Sequence, residues 1–144
     1  MILVDVNLLL YAYDPSSPHH AQAARWLRRT IAEEARVGLA WVTVLAFLRI
    51  STNPRVKRPI SLSDAVQVVS DWLSQPSVML LDPGERHWSI LRSLLQKGQA
   101  RGSLVTDAHL AALAIEHGAI LCTNDRDFTR FPDLKLDNPL ASPD

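Results

Sequence analysis

MILVDVNLLLYAYD, Met1 to Asp14, decides how the rest of the chain is read, because an acid stands inside an otherwise apolar run. Ile2 to Val6 reads as a first strand, and the unbroken Ile, Leu and Val around Asp5 are what a strand covered on both faces shows. An ionised carboxylate there needs a partner, either a cation or a set of backbone N–H donors.

Outward from that strand, short apolar runs alternate with longer helical stripes, the pattern of βα units around a mostly parallel sheet. Further strands are expected at Val37 to Ala40, Val78 to Leu81 and Ala119 to Thr123, with a short one at Leu134 to Leu136. A helix from His19 to Glu34 puts Ala23, Trp26, Leu27 and Ile31 on one face and Arg25, Arg28 and Arg29 on the other. Val42 to Ile50 reads as a second helix, and the prolines and basic residues of TNPRVKRP, Thr52 to Pro59, make the next stretch a loop. Ser61 with Asp64 resembles a capping box opening another helix. Gly84 to Gln99 follows as an amphipathic helix with Trp88, Leu91, Leu94 and Leu95 turned inward. The strongest helical stripe runs from Thr106 to His117 and stops at Gly118.

With 144 residues, 47% of them hydrophobic, the chain is expected to form one α/β domain over residues 1–144. Fifteen basic residues balance fifteen acidic ones, so net charge alone demands no nucleic-acid partner. A lone Cys122 inside AILCT excludes an intramolecular disulfide and reads as a buried strand residue. Neither a signal peptide nor an apolar run of the roughly 18 residues a membrane span needs is visible, and a cytoplasmic protein with no membrane partner is expected.

Two further acids occupy similar positions. Asp107 falls in the first turn of the strongest helix, and Asp125 lies just past the Ala119 to Thr123 strand. In open α/β sheets the functional crevice lies outside the carboxyl ends of the strands, so Asp5 and Asp125 should share one rim. Carboxylates converging there fit Mg²⁺ or Mn²⁺, which can activate water for displacement at phosphorus. Each acid also has a plain structural role open to it. Asp5 could accept backbone hydrogen bonds, Asp107 could complement a helix dipole with Thr106 as N-cap, and Asp125 and Asp127 could serve a turn. The five histidines show no metal-ligand spacing such as HExxH.

The opening MILVDVNLLLYAYD, the central GLAWVTVLAFLRISTNPR, the run GSLVTDAHLAALAIEHGAILCTNDRDFTRFP and the terminal NPL together resemble the PIN-domain ribonucleases, more narrowly the VapC-type toxins of bacterial toxin–antitoxin pairs. The resemblance implies a single PIN-like domain with a parallel sheet of about five strands and helices on both faces. It implies Mg²⁺-dependent cleavage of RNA, with Mn²⁺ able to substitute, a homodimer, and a cognate VapB-type antitoxin that blocks the acidic pocket. By the same resemblance Asp5, Asp107 and Asp125 are the metal-binding, catalytic acids. Asn7, Thr106, Asn124 and Asp127 are supporting groups.

One departure is visible, since the family's glutamate, in a segment like LAEL, is read at Phe47 here, a side chain that cannot ligate a cation. That puts a second metal in doubt and makes Asp127 a substitute ligand to test. Arg49, Arg55 and Arg126 are candidates for phosphate contacts. Two rivals stand beside the nuclease. A phosphoacceptor using Asp5 as nucleophile wants a paired acid and a lysine after a later strand, and neither is present. A catalytically inactive PIN-like domain that binds RNA or a protein partner would show no metal-dependent turnover.

Overall fold

A computed structural model describes residues 1–33 and 36–141. In chain order the elements are β1 (Ile2–Val4), α1 (Val6–Tyr13), α2 (His20–Glu33), β2 (Val37–Ala40), α3 (Trp41–Ser51), α4 (Leu62–Ser74), β3 (Val78–Leu81), α5 (His87–Lys97), α6 (Leu104–His117), β4 (Ile120–Cys122), a 3-10 turn (Arg126–Arg130) and β5 (Leu136–Asp137). The strands form one parallel sheet in the order β3-β2-β1-β4-β5. The connections run outward from β1 through β2 to β3 and then return across the sheet to β4. Strand order therefore reverses between β1 and β4, the place where open α/β sheets leave a crevice at their carboxyl ends.

Helices cover both faces, as the sequence pattern requires. Val4 and Cys122 pack with residues of α1, α2, α3 and α4, whereas their strand neighbours Leu3 and Leu121 pack with α5, α6 and the 3-10 turn. Successive side chains of a strand point to opposite faces, so both layers need apolar residues and the strands lose any polar alternation. At Gly38 on β2 an added Cβ would lie 2.7 Å from Leu81 and 3.1 Å from the Ile2 carbonyl, so glycine lets three strands close up. Gly118 ends α6 in the left-handed region, at φ 65°.

Several boundaries differ from the sequence expectation. The first strand stops at Val4 rather than Val6, and Asp5 is the N-cap of α1, with extended backbone and an oxygen accepting from the Val6 N–H. VNLLLYAY is nearly all apolar, so it has no polar face to announce a helix, yet Leu8, Leu9 and Ala12 recur at helical spacing and are buried. The strongest helix begins at Leu104, which places Thr106 inside it instead of at its cap. Chain around Gly84 is held out of α5, because Glu116 accepts hydrogen bonds from the Gly84 and Arg86 N–H groups. Trp88, expected inward, is 63% exposed, and Leu94 carries the buried stripe of α5. The expected helix end at Glu34 lies outside the described residues.

Phe47 belongs to the core. It is fully buried, 4.7 Å from the Trp72 ring and 5.8 Å from the Tyr13 ring in edge-on contacts, while the Trp72 indole N–H donates to the Tyr13 hydroxyl at 3.0 Å. This aromatic group ties α1, α3 and α4 together. Phe47→Ala is expected to cost about 3–5 kcal/mol of unfolding free energy in a urea titration. A loss below about 1 kcal/mol would place Phe47 outside the core.

Candidate active site

Asp5 is held by both of its oxygens. Oδ1 accepts from the Val6 N–H at 2.8 Å, and Oδ2 accepts from the Thr123 hydroxyl at 2.7 Å. The same Thr123 oxygen accepts from the Asp125 N–H at 3.0 Å, and Asp125 Oδ1 accepts from the Asp127 N–H at 2.9 Å. One buried hydroxyl thus joins the end of β1 to the turn that follows β4. These two strands flank the reversal in the sheet, and α6 delivers Asp107 to the same place from its first turn.

The acids come close together. Carboxylate oxygens of Asp107, Asp125 and Asp127 lie within 4.8 Å of one another. Asp5 stands outside that trio but inside its field. Burial first, then the charges of Asp125, Asp5 and Asp127, push the Asp107 carboxyl up to about 6, against a partial offset from Arg130. Asp5 is also raised, chiefly by burial, although its hydrogen bonds from Thr123 and Val6 pull the other way. The Arg130 guanidinium donates to the backbone oxygens of Asp127 and Gly98, so it is engaged beside the cluster.

A cleft of ≈ 260 Å³ opens onto Asp5 and Asp107, with Thr43, Ala46 and Arg49 of α3 on one wall and Thr106 of α6 on the other. Arg49 and Thr106 both line this cleft. Arg55 and Arg126 are exposed outside the cleft lining. Asn124 Oδ1 accepts from the Asn138 amide at 2.9 Å, and the Asn7 Oδ1 atom is buried without a hydrogen-bond partner among the described residues.

Two site features escaped the sequence reading. Thr123 ended a strand in the alternating pattern, and its one signal was a hydroxyl in a buried strand end, a group that must find a partner. The second is a register error on α3. Ala46 is among the α3 side chains that line the cleft, whereas its neighbour Phe47 packs in the core layer of α1 to α4. A carboxylate at position 47 would enter the core rather than the cleft, so the expectation of a lost ligand at Phe47 is corrected: of the α3 positions that line the cleft, Ala46 is the one beside it in sequence that carries only a methyl group.

The donor set fits a hard divalent cation. All candidate ligands are carboxylate oxygens, and Mg²⁺ or Mn²⁺ prefers such oxygens with waters completing its shell. The Asp107 carboxyl is raised by burial first and then by the negative charge of Asp125, Asp5 and Asp127 around it. Neutralising that charge is what a cation there would do.

Residues 2–134 match the PIN domain family. The chain is 44% identical over 142 residues to Ribonuclease VapC37 of Mycobacterium tuberculosis, covering 98% of this chain and 99% of that protein. It is 40% identical over 141 residues to Ribonuclease VapC43 of the same organism, covering 97% and 96%. Among solved structures, VapBC2 from Rickettsia felis bound to a DNA fragment from its promoter superposes with a TM-score of 0.70 at 22% identity, covering 96% of this chain and 98% of that one. VapBC-1 from nontypeable Haemophilus influenzae gives 0.68 at 18% identity, covering 96% and 98%. At those identities the likeness is one of fold.

In the absence of metal the folded protein binds a proton at Asp107 more tightly than the unfolded chain does. The stability this contributes is present below pH about 4 and is lost as the pH rises through about 6. Compared with Asp107→Asn in EDTA, the wild-type melting temperature is expected to fall between pH 4 and pH 7.5. Mn²⁺ should raise the wild-type value more at pH 7.5 than at pH 5, because proton and cation compete for the same oxygens. A difference between wild type and variant that does not change with pH would contradict this account.

Proposed function

The chain belongs to the PIN domain family, and we propose that it is a VapC-type endoribonuclease, the toxin of a toxin–antitoxin pair that acts in the cytoplasm. The observation that carries this reading is the meeting of Asp107, Asp125 and Asp127 beside Asp5 at the sheet reversal, with Asp107 pushed up to about 6. A purely structural site gains nothing from keeping several acids in mutual repulsion.

Asp107, Asp125 and Asp127 would hold the cation, with Mg²⁺ the expected ion and Mn²⁺ able to substitute. Asp5, fixed at both oxygens, would set the inner edge of the site through Thr123. When bound, the metal lowers the pKa of a coordinated water and offsets charge on the phosphate oxygens. This chain's own groups do the rest. Arg49 on the cleft wall would take a non-bridging phosphate oxygen, and the Thr106 hydroxyl, which lines the same cleft, would donate to a second. Attack by a water oxygen on phosphorus would form one P–O bond and break the bond to the leaving ribose oxygen; the attacking water gives up one proton and the leaving oxygen takes one up. Arg55 and Arg126 would guide the strand toward the cleft by phosphate contacts alone, and unpaired loops are the expected target because their bases are accessible to a protein surface.

A VapB-type antitoxin is the partner expected to cover the acids, and the protein would work as a homodimer. The inactive-domain alternative draws its support from Ala46, since α3 adds no carboxylate to the cleft. Fewer acidic ligands weaken binding of a hard cation without removing the site.

Antitoxin-free protein incubated with a mixed pool of structured RNAs separates these readings. Discrete cuts are expected with Mn²⁺, none with EDTA, and none above background for Asp5→Asn or Asp107→Asn. Wild-type turnover in either variant would overturn the assignment. Ala46→Glu is expected to tighten Mn²⁺ binding, measured calorimetrically, because it adds a carboxylate to the cleft wall. Unchanged affinity in a folded Ala46→Glu protein would show that α3 does not face the metal.

A further inference from the structure

The segment that follows β5 holds the acids from a second direction. The Thr123 N–H donates to the Asp137 oxygen at 3.0 Å, which sets β5 beside the strand end that carries the site. Next comes Asn138, which closes a tight turn. Its Oδ1 accepts from the Leu140 N–H at 3.0 Å, and its backbone oxygen accepts from the Ala141 N–H at 3.1 Å. Pro139, with its fixed φ, occupies the second position of that turn, where proline is favoured. Leu140 packs against the α1 to α4 layer, and the Gln22 amide of α2 donates to the Pro139 oxygen at 3.4 Å. Asn138 is therefore fixed to the body of the fold on both sides.

With its oxygen committed to the turn, Asn138 has its amide donors left, and one of them goes to Asn124 Oδ1 at 2.9 Å. Asn124 lies between Thr123, whose hydroxyl links Asp5 to the Asp125 N–H, and Asp125 itself. The turn from Asn124 to Asp127 needs such a hold. It follows a strand of 3 residues, it carries two acids that repel each other and Asp107, and Asp127 is exposed. At its far end Arg130 donates to the Gly98 oxygen at 3.1 Å. At its near end Asn138 is the corresponding anchor.

We propose that Asn138 is a positioning residue of the active site: by gripping Asn124 it sets where the Asp125 and Asp127 carboxylates stand to receive the cation. The inference rests on the nuclease reading and adds to it a residue 13 positions beyond Asp125 whose side chain need not touch metal or RNA. Carboxylates that must converge on one small ion depend on the groups that orient them, and loss of such groups commonly costs on the order of tenfold or more in metal affinity.

The test breaks the grip from each side in turn. Asn138→Ser keeps an oxygen able to accept from the Leu140 N–H but is too short to reach Asn124. Asn124→Ala removes the other partner and leaves the Asn138 turn intact. Calorimetric binding of Mn²⁺ alone and thermal unfolding in EDTA are measured for wild type, both single variants and the double variant, beside cleavage of one RNA that the wild type cuts. Each single variant is expected to bind Mn²⁺ about tenfold more weakly and to cleave more slowly, with a melting temperature within a few degrees of wild type. The double variant should be no worse than either single one, because both remove the same link. Unchanged Mn²⁺ affinity in the single variants of a wild type that binds Mn²⁺ and cleaves RNA would overturn the positioning role while leaving the nuclease reading intact. Independent, additive losses in the double variant would overturn it as well. A wild type that neither binds Mn²⁺ nor cleaves would overturn both.

Discussion

The hydroxyl of Thr123 donates one hydrogen bond and accepts another, and through them it fixes two acids that would otherwise separate. It donates to Asp5 at 2.7 Å and accepts from the Asp125 backbone at 3.0 Å. Because β1 and β4 are adjacent and parallel, in register from Ile2 with Ile120 to Val4 with Cys122, this contact is made where the strands end together. A threonine is well suited to the position. Its β-branch fits a strand, and its hydroxyl is both donor and acceptor, which a buried carboxylate facing a backbone N–H requires. Removing that hydroxyl would leave Asp5 with one fewer hydrogen bond in a place where burial already raises its pKa.

Helix starts complete the setting. Asp5 caps α1 and Asp107 lies in the first turn of α6, so both carboxylates sit near the partial positive charge of a helix N-terminus. Such placement is worth about 1 kcal/mol at a cap and offsets part of the repulsion among the acids. It does not cancel it, as the raised Asp107 shows. The fold thus tolerates a locally unfavourable charge cluster, and the rigidity comes from two apolar layers on either side of the sheet. Clusters kept under repulsion are commonly functional, because a stability-neutral alternative, an amide in place of an acid, is always one substitution away.

Much of this was legible in the sequence, and the misses share a physical cause. β2 and β3 have the bounds expected of them: Arg36 precedes β2 and α3 follows it, while Ser77 precedes β3 and Asp82-Pro83 follows it. Ser61 caps α4 through the Asp64 N–H, as the pattern of a hydroxyl followed by an acid predicts. The acids could be read because carboxylates in apolar contexts are costly and stand out. What could not be read was direction. VNLLLYAY is apolar all round, so no periodicity separated strand from helix after Asp5. Ala46 and Phe47 are neighbours on one helix and differ by about 100° in direction, so a shift of one residue exchanged cleft for core. Trp88 shares a helical stripe with Leu91, Leu94 and Leu95 and is expected inward on that ground, but at the start of α5 it is left in solvent. Asp127 reaches the cluster through a 3-10 turn that its local sequence, rich in turn formers, did not distinguish from a plain loop.

The account depends on a cation sitting among the acids where β1 and β4 end. Anomalous diffraction from crystals grown with Mn²⁺ locates it most directly. A peak about 2.0–2.2 Å from carboxylate oxygens of Asp107, Asp125 or Asp127, beside Asp5, is the result expected. Anomalous density elsewhere on the chain, or none at saturating Mn²⁺, would contradict the assignment of these acids as the metal centre.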